Sequence, residues 1–199
     1  MVTFPPLAPT ANWWAHLLKY TSLNKLPFGS IEAVMFANSN LVSSKEFGRY
    51  SISDSIGEVH TLSLAVEGGG RQLRSFDNIQ ELRLSEHGDW RKNHLGTLET
   101  CLGRKPYYKY LSEPLRNVYL NRNNTTLEEF NTAIFKLLCS FIIKDLHPSD
   151  LTCFTQSLIL RERGMEIASS IKSDLSSLEV VSDFGRESLL GFLALDFKE

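Results

Sequence analysis

Apolar and polar positions in the first part of the chain predict a helix followed by strands. Between residues 11 and 21 the apolar side chains recur every three or four positions, which is typical of a short amphipathic helix that ends before Pro27. Four later stretches are short, partly alternating or β-branched, and separated by polar and glycine clusters: IEAVMFA, GRYSIS, VHTLSLAVE and IQELRLS. We therefore predict four strands. In the third of them, one alternating set should face the core: His60, Leu62, Leu64 and Val66.

Beyond residue 88 the apolar positions change to a helical period. The segment DWRKNHLGTLETCLG predicts a helix that closes at Gly103, before a turn that Pro106 continues. A second helical piece should follow a cap at Ser112, because Pro114 is tolerated in a first helical turn but not deep inside a helix. This region therefore begins the helical part of the protein.

The third of these helices has the clearest start signal in the chain. Thr126 and Glu129 form a T-x-x-E capping box, and a wide apolar stripe follows in LEEFNTAIFKLLCSF. Because strands precede helices, the pattern predicts an α+β fold, with an N-terminal, mostly antiparallel or mixed sheet packed against a C-terminal set of helices. No repeat or low-complexity linker divides the sequence, so residues 1–199 should form a single domain.

Composition and charge narrow the classes of function. The 199 residues carry 21 basic and 23 acidic side chains, so no excess of positive charge is available for nucleic acid or an anionic membrane surface. No apolar window approaches the roughly 20 residues of a membrane span, and the N-terminus lacks the pattern of a signal peptide. The cysteines are widely spaced, at Cys101, Cys139 and Cys153. We interpret them as reduced thiols and predict a cytoplasmic protein.

Standard motifs for catalysis and cofactor binding are absent from the sequence. There is no G-x-S-x-G, P-loop, dinucleotide fingerprint or H-E-x-x-H, and the sequence identifies no cofactor. The glycines at 68–70 lack a following Lys-Ser/Thr pair, which favours a hairpin loop over a phosphate-binding loop. The five histidines are not paired with other ligands at helical spacing, so we predict no metal site.

One line of side chains on the predicted helix after residue 88 includes Trp90, His94, Thr97 and Cys101. His94 should lie on the buried half of this helix or at its margin. It is then either a satisfied core residue or a group that lines a concave site and transfers protons. Cys101 is two turns away, roughly 10 Å along the helix, which is too far for a Cys-His nucleophile. We interpret it as an inert, packed thiol.

The central segment of the chain resembles one family of bacterial proteins. LSLAVEGGGRQLRSFDNIQELRLSEHGDWRKNHLGTLETCLGRKPYYKYLSEPLRNVY contains an ordered set of features. They are a strand ending in Ala65-Val66, a loop at 67–71, a strand at 79–84, Trp90 with His94, and Pro106 with Tyr107. This arrangement resembles the WbqC-like family over residues 59–145, and FGRESLLGFL is similar to the family's closing segment. At the N-terminus, TFPPLAP departs from the family's QPxYFP-like segment.

The resemblance implies a transferase of bacterial surface-polysaccharide (O-antigen-like) biosynthesis that moves an amino-acid or acyl group to a sugar. It implies that His94 is a general base, that Arg49 binds an anion, and that Trp90 and Tyr107 bind the substrate beside the motif residue Pro106. The expected partner is a sugar or sugar-nucleotide precursor. The alternative is a non-catalytic binding or assembly protein that keeps the fold but not the activity.

The two hypotheses differ in the surroundings that they require for His94. A concave pocket that contains both His94 and Arg49 would favour the enzyme. A filled interface between helix and sheet that buries His94 against a carbonyl would favour the binding protein.

Overall fold

Five α-helices and a two-stranded antiparallel sheet form the described part of the chain. The computed structural model describes residues 2–26, 29–74, 76–77 and 79–142. In chain order the elements are α1 Ala11–Asn24, α2 Ile31–Leu41, β1 Arg49–Ser53, β2 Val59–Ser63, α3 Trp90–Leu102, α4 Tyr108–Leu120 and α5 Leu127–Ile142. Short 3-10 turns lie between them at Ser44–Phe47, Gln72–Arg74 and Ile79–Glu81. This architecture confirms the predicted α+β class.

The sheet consists of β1 and β2 in an antiparallel hairpin. Tyr50 lies opposite Leu62, and Ile52 lies opposite His60. The side chains of Leu62, Leu64 and Val66 are buried and that of His60 is half-buried. The predicted inward face of this segment is therefore confirmed, because successive residues of an extended chain point to opposite sides.

The segment IEAVMFA lies in α2, so the prediction of a strand there was wrong. The Ser30 hydroxyl accepts a hydrogen bond from the N–H of Ala33 at 3.4 Å and caps the helix. Ala33, Val34 and Ala37 are buried at helical spacing, on a helix that packs against α1. In a short apolar run the period does not distinguish a strand from a buried helix. The capping residue Ser30 was the sequence signal that favoured a helix here.

The segment IQELRLS was also predicted as a strand, and the structure has a 3-10 turn followed by isolated bridges. Residues 83–85 pair with 65–67 on one side through Val66 and Leu84, and with 125–127 on the other through Arg83 and Thr126. We call these three extended segments the platform. Four backbone hydrogen bonds of 2.8–2.9 Å hold it together: Ser85 to Ala65, Glu67 to Arg83, Leu84 to Thr125 and Leu127 to Leu82.

Helix α4 begins at Tyr108, so the predicted start after Ser112 was wrong. Pro114 lies inside this helix and cannot donate a hydrogen bond to the carbonyl four residues earlier. The helix nevertheless continues, because Leu111, Leu115 and Tyr119 bury one continuous face along it. Burial of this face offsets the missing backbone hydrogen bond.

The capping box of α5 is confirmed. The N–H of Glu129 donates to the Thr126 hydroxyl at 3.2 Å, and the Glu129 carboxylate accepts the N–H of Thr126 at 3.0 Å. The same carboxylate accepts the N–H of Thr125 at 2.7 Å. These backbone hydrogen bonds lower the pKa of Glu129. The capping box therefore fixes where the third platform segment ends and α5 begins.

Polar side chains tie the N-terminal segment to the helices. The Asn38 amide of α2 donates to the carbonyls of Val2 and Phe4 at 3.0 and 2.9 Å and accepts the indole N–H of Trp13 at 3.0 Å. The Trp14 ring stacks on Phe135 of α5 with centroids 4.9 Å apart.

No helix in the described ranges has the length and apolar character needed to cross a membrane. The family-like segment FGRESLLGFL lies outside the described residues.

Candidate functional site

His94 projects from α3 into the core and is only 5% exposed. Its Nε2 lies 3.0 Å from the carbonyl oxygen of Ser63, at the end of β2. Aromatic rings surround it, with the centroids of Trp90, Tyr119 and Tyr50 at 5.3, 5.8 and 6.5 Å. This is the arrangement expected of the core alternative, in which the histidine is buried against a carbonyl.

The surroundings of the His94 ring determine its protonation state. A carbonyl oxygen can only accept a hydrogen bond, so Nε2 carries the proton and Nδ1 holds a lone pair. Nδ1 is buried and has no hydrogen-bond partner within the described ranges. A second proton would therefore create an enclosed cation, and this desolvation lowers the pKa of His94 to about 4 despite the bond to Ser63. The imidazole is neutral at pH 7.

Trp90 begins α3 and bonds to the segment that precedes it. Its indole N–H donates to the carbonyl oxygen of Ser85 at 2.8 Å. Ser85 belongs to the central segment of the platform and is itself bonded to Ala65. Trp90 thus connects the first residue of α3 to the middle of the platform.

Arg91 was not identified from the sequence, although its side chain is buried in the same region. Its guanidinium donates to the Tyr119 carbonyl at 2.8 Å, to the Glu86 carboxylate at 2.8 Å and to the Asn124 carbonyl at 3.5 Å. It also lies over the Trp90 ring, 4.6 Å from the ring centroid. Helical periodicity did not identify it, because an arginine counts as a polar position in the sequence pattern whether its side chain is buried or exposed.

Residues of the platform line a cleft of about 800 Å³. Eleven residues line it: Val66, Glu67, Gly68, Gly69, Arg83, Leu84, Ser85, Glu86, His87, Arg122 and Thr125. They come from all three platform segments, the glycine loop after the first, the two residues after the second, and the connection between α4 and α5. The sequence did not predict that these distant segments would meet.

Three side chains of α3 hold the backbone of this cleft in place. Trp90 binds Ser85, and His94 binds Ser63, two residues before the first platform segment. Arg91 binds Glu86 and reaches Asn124, next to the third segment. Because Ser85 and Glu86 line the cleft, and Ser63 and Asn124 precede two of the segments that line it, α3 acts as its structural support.

Both signs of charge are present in the cleft. Arg83 and Arg122 are exposed, and neither forms a salt bridge with another residue of the described ranges. Glu86 is paired with Arg91 at 2.8 Å, with its side chain 48% exposed. Glu67 is exposed and forms no salt bridge there either. Two arginines and one carboxylate are therefore available to a ligand.

The residues that the family resemblance singled out do not form one pocket. Trp90 and His94 are buried neighbours on α3, whereas Arg49 lies on the exposed face of β1, opposite to its buried neighbour Tyr50. Pro106 and Tyr107 lie beyond the far end of α3, a helix about 20 Å long. Pro106 is exposed and Tyr107 is half-buried, with its ring stacked near Tyr110 at 6.4 Å. None of these residues lines the cleft.

Cys101 lies in the core, as the interpretation of a packed thiol requires. It is 2% exposed, and burial raises the pKa of its thiol. The hydroxyls of Tyr50 and Tyr119 are hydrogen-bonded at 2.8 Å in the same core, and burial raises the pKa of both. These groups are protonated at neutral pH and enclosed by packing.

The β1–β2 hairpin brings together three side chains that could hold a metal ion, an arrangement that helical spacing did not predict. Ligand atoms of Asp54, Glu58 and His60 lie within 4.8 Å of one another. Asp54 accepts the N–H groups of Ile56 and Glu58 at 2.9 Å each, and these bonds lower the pKa of its carboxyl despite the opposing effect of burial. The Asp54 contacts therefore form the turn of the hairpin.

Comparison with known proteins agrees with the resemblance seen in the central segment. Neither the curated proteins nor the solved structures contain a significant match to this chain. The model of the WbqC-like protein family matches residues 31–177, which is most of the chain and includes α3 and the whole platform. The chain therefore belongs to the WbqC-like protein family.

Proposed function

We propose that this protein acts in the biosynthesis of bacterial surface polysaccharide, where it transfers an amino-acid or acyl group to a sugar precursor bound in the cleft. Membership of the WbqC-like family supports the pathway. The cleft volume of about 800 Å³ supports a ligand as large as a sugar or sugar nucleotide, because small-molecule sites commonly measure about 300–1,000 Å³.

The observation that carries this proposal is the cleft itself, in which the Glu67 carboxylate is exposed and has no salt-bridge partner within the described ranges. The motif residues Trp90 and His94 are buried, and both bind carbonyl oxygens of segments that form or precede the platform. A site that discriminates between ligands needs such support, because its contact atoms must be held within about 0.5 Å of their productive positions. The motif and the cleft therefore belong to one functional unit.

In this proposal His94 is a positioning residue. A general base must come within about 3 Å of the proton that it removes, and the enclosed His94 ring is turned toward Ser63. The exposed Glu67 carboxylate in the cleft is better placed for that role. It would accept the proton of a sugar hydroxyl or amine as the oxygen or nitrogen forms its new bond to the acyl carbon and the donor's leaving group departs.

A second candidate is a protein that holds the precursor without transferring a group. The enclosed position of His94 favours it, since this is the arrangement expected when the motif supports structure alone. The two candidates predict different polysaccharides in a strain that lacks the gene. Loss of the transferase leaves the sugar chain intact without one amino-acid or acyl substituent, whereas loss of an assembly protein shortens or removes the chain.

The test is mass spectrometry of surface polysaccharide from a deletion strain of the host bacterium. We expect one substituent to be missing and to return with the wild-type gene. Gly69→Phe should fail to restore it because the ring would occupy the edge of the cleft at the glycine loop, whereas Gly57→Phe should restore it. The two glycines are matched, with φ of +79° and +85° and no atom within 4 Å of the position that a β-carbon would take, but only Gly69 lines the cleft. An unchanged polysaccharide in the deletion strain would rule out the proposed pathway.

A further inference from the structure

Two arginines reach the cleft from different parts of the chain. Arg83 lies in the central segment of the platform, and Arg122 lies in the connection between α4 and α5. Both are exposed, and neither has a carboxylate partner within the described ranges. Arg91 is different, because it is buried and already bonded to Glu86 and two carbonyls. Arg83 and Arg122 are thus the cationic groups that a bound anion can use.

The glycine loop leaves space beside these arginines. Gly68 and Gly69 have φ of +76° and +79°, a conformation that side chains rarely adopt. A β-carbon at Gly69 would meet no atom within 4 Å, so the backbone there is accessible from the cleft. Within the described ranges the N–H of Gly68 donates no backbone hydrogen bond. A ligand can therefore come close to the main chain at this edge.

The two carboxylates of the cleft restrict where an anion can lie. The buried Arg91 side chain offsets the charge of Glu86. Glu67 has no such partner in the described ranges and would repel an anion placed next to it. A ligand that fits this charge distribution has a negative group at the two arginines and hydroxyl or amino groups at Glu67. A carboxylate accepts hydrogen bonds from sugar hydroxyls.

We propose that the cleft binds a sugar through a phosphate group attached to it, with the phosphate held by Arg83 and Arg122 and the sugar hydroxyls by Glu67. This inference rests on the proposed function and specifies its substrate class. Planar guanidinium groups bind phosphate oxygens in pairs, which gives both affinity and orientation. A sugar 1-phosphate and a nucleotide sugar share this chemistry, and they differ in what extends beyond the phosphate.

The test is isothermal titration calorimetry of the full chain at low salt with four probes. These are N-acetylglucosamine 1-phosphate, UDP-N-acetylglucosamine, inorganic phosphate and unphosphorylated N-acetylglucosamine. Arg83→Gln and Arg122→Gln should each weaken binding of the phosphorylated sugars at least about tenfold, because a hydrogen bond to a charged group contributes that much. Arg104→Gln is the matched control, since Arg104 is exposed beyond the far end of α3. It should change affinity less than about twofold.

Two further results belong to the same experiment. Glu67→Ala should weaken binding of N-acetylglucosamine 1-phosphate and leave binding of inorganic phosphate undiminished. The phosphorylated sugar that binds with the higher affinity identifies whether the natural ligand is a sugar phosphate or a nucleotide sugar. The inference is overturned if neither phosphorylated sugar binds, if unphosphorylated sugar binds equally well, or if the variant lacking both arginines binds as tightly as wild type. Thermal denaturation of each variant establishes that it is folded.

Failure of this inference is distinguishable from failure of the proposed function. If Arg83→Gln/Arg122→Gln restores the polysaccharide substituent of the deletion strain, the cleft phosphate site is wrong and the pathway stands. If phosphate binding depends on the arginines while deletion leaves the polysaccharide unchanged, the site stands and the pathway is wrong.

Discussion

The imidazole Nε2 of His94 and the carbonyl oxygen of Ser63 lie 3.0 Å apart, which ties the middle of α3 to the end of β2. Trp90 and Arg91 make comparable contacts from the preceding turn, to Ser85 and to Glu86. The polar groups on this side of the helix are therefore directed at backbone carbonyls and at one carboxylate. These contacts affect a ligand indirectly, because they hold the platform segments that line the cleft.

Acidification should destabilise the protein through His94. The pKa of this residue is about 4 in the folded chain and 6.5 ordinarily, so between these values the unfolded chain binds a proton that the folded chain does not. The free energy of unfolding should therefore fall by about 3 kcal/mol as the pH drops from about 6.5 to about 4. Urea denaturation of wild type and His94→Gln across this range measures it. Equal slopes with pH in the two proteins would show that His94 does not carry the effect.

Trp90→Phe should weaken the platform and leave the rest of the fold in place. Phenylalanine retains a ring for packing but loses the indole N–H that donates to Ser85 at 2.8 Å. We expect a loss of about 1 kcal/mol in unfolding free energy, typical of one hydrogen bond. Amide hydrogen exchange should rise at Ser85 and Glu67, whose N–H groups hold the first two platform segments together. Exchange that rises equally throughout α1 and α2 would contradict a local role.

Arg91 and Glu86 should differ in their contribution to stability although they form one ion pair. Arg91→Met removes a buried guanidinium with three hydrogen-bond partners, leaving the Tyr119 carbonyl without this donor, and should cost roughly 3 kcal/mol. Glu86→Gln changes a side chain that is 48% exposed, and should cost less than about 1 kcal/mol. Urea denaturation of both variants provides the comparison. A larger loss for Glu86→Gln would mean that the pair, and not the buried arginine, supports the cleft.

Cys101 should be inert in the folded protein. Its thiol is buried and its pKa is raised, so little reactive thiolate forms at neutral pH. Iodoacetamide labelling followed by peptide mass spectrometry should detect modified Cys101 only after denaturation. Cys101→Ala should complement the deletion strain. Rapid labelling of Cys101 in the native protein would contradict its assignment to the core.

Local signals in the sequence predicted some elements well. The T-x-x-E box at Thr126 and Glu129 located the start of α5, because capping chemistry is contained in four consecutive residues. Alternation also identified the buried face that includes Leu62 and Leu64, since its period is set by the backbone alone. In α4, by contrast, tertiary burial of Leu115 and Tyr119 overrode the local signal of Pro114.

Local sequence signals could not predict the cleft. Its glycine loop, Arg83 and Arg122 are separated along the chain and meet only because the platform segments pair. Periodicity placed His94 on the buried side of α3, and left open whether it faced a cavity or a carbonyl. The partner, Ser63, lies 31 residues earlier, and no local pattern encodes a contact at that separation.

The measurement that tests the central claim most directly compares two variants in the deletion strain. Mass spectrometry of the polysaccharide should show the missing substituent restored by His94→Gln, since a glutamine amide can also donate to the Ser63 carbonyl. It should show no restoration by Arg83→Gln/Arg122→Gln, with both variants folded and expressed equally. In the reverse result, the double arginine variant restores the substituent and His94→Gln does not. That result would contradict the account and assign the role of general base to His94.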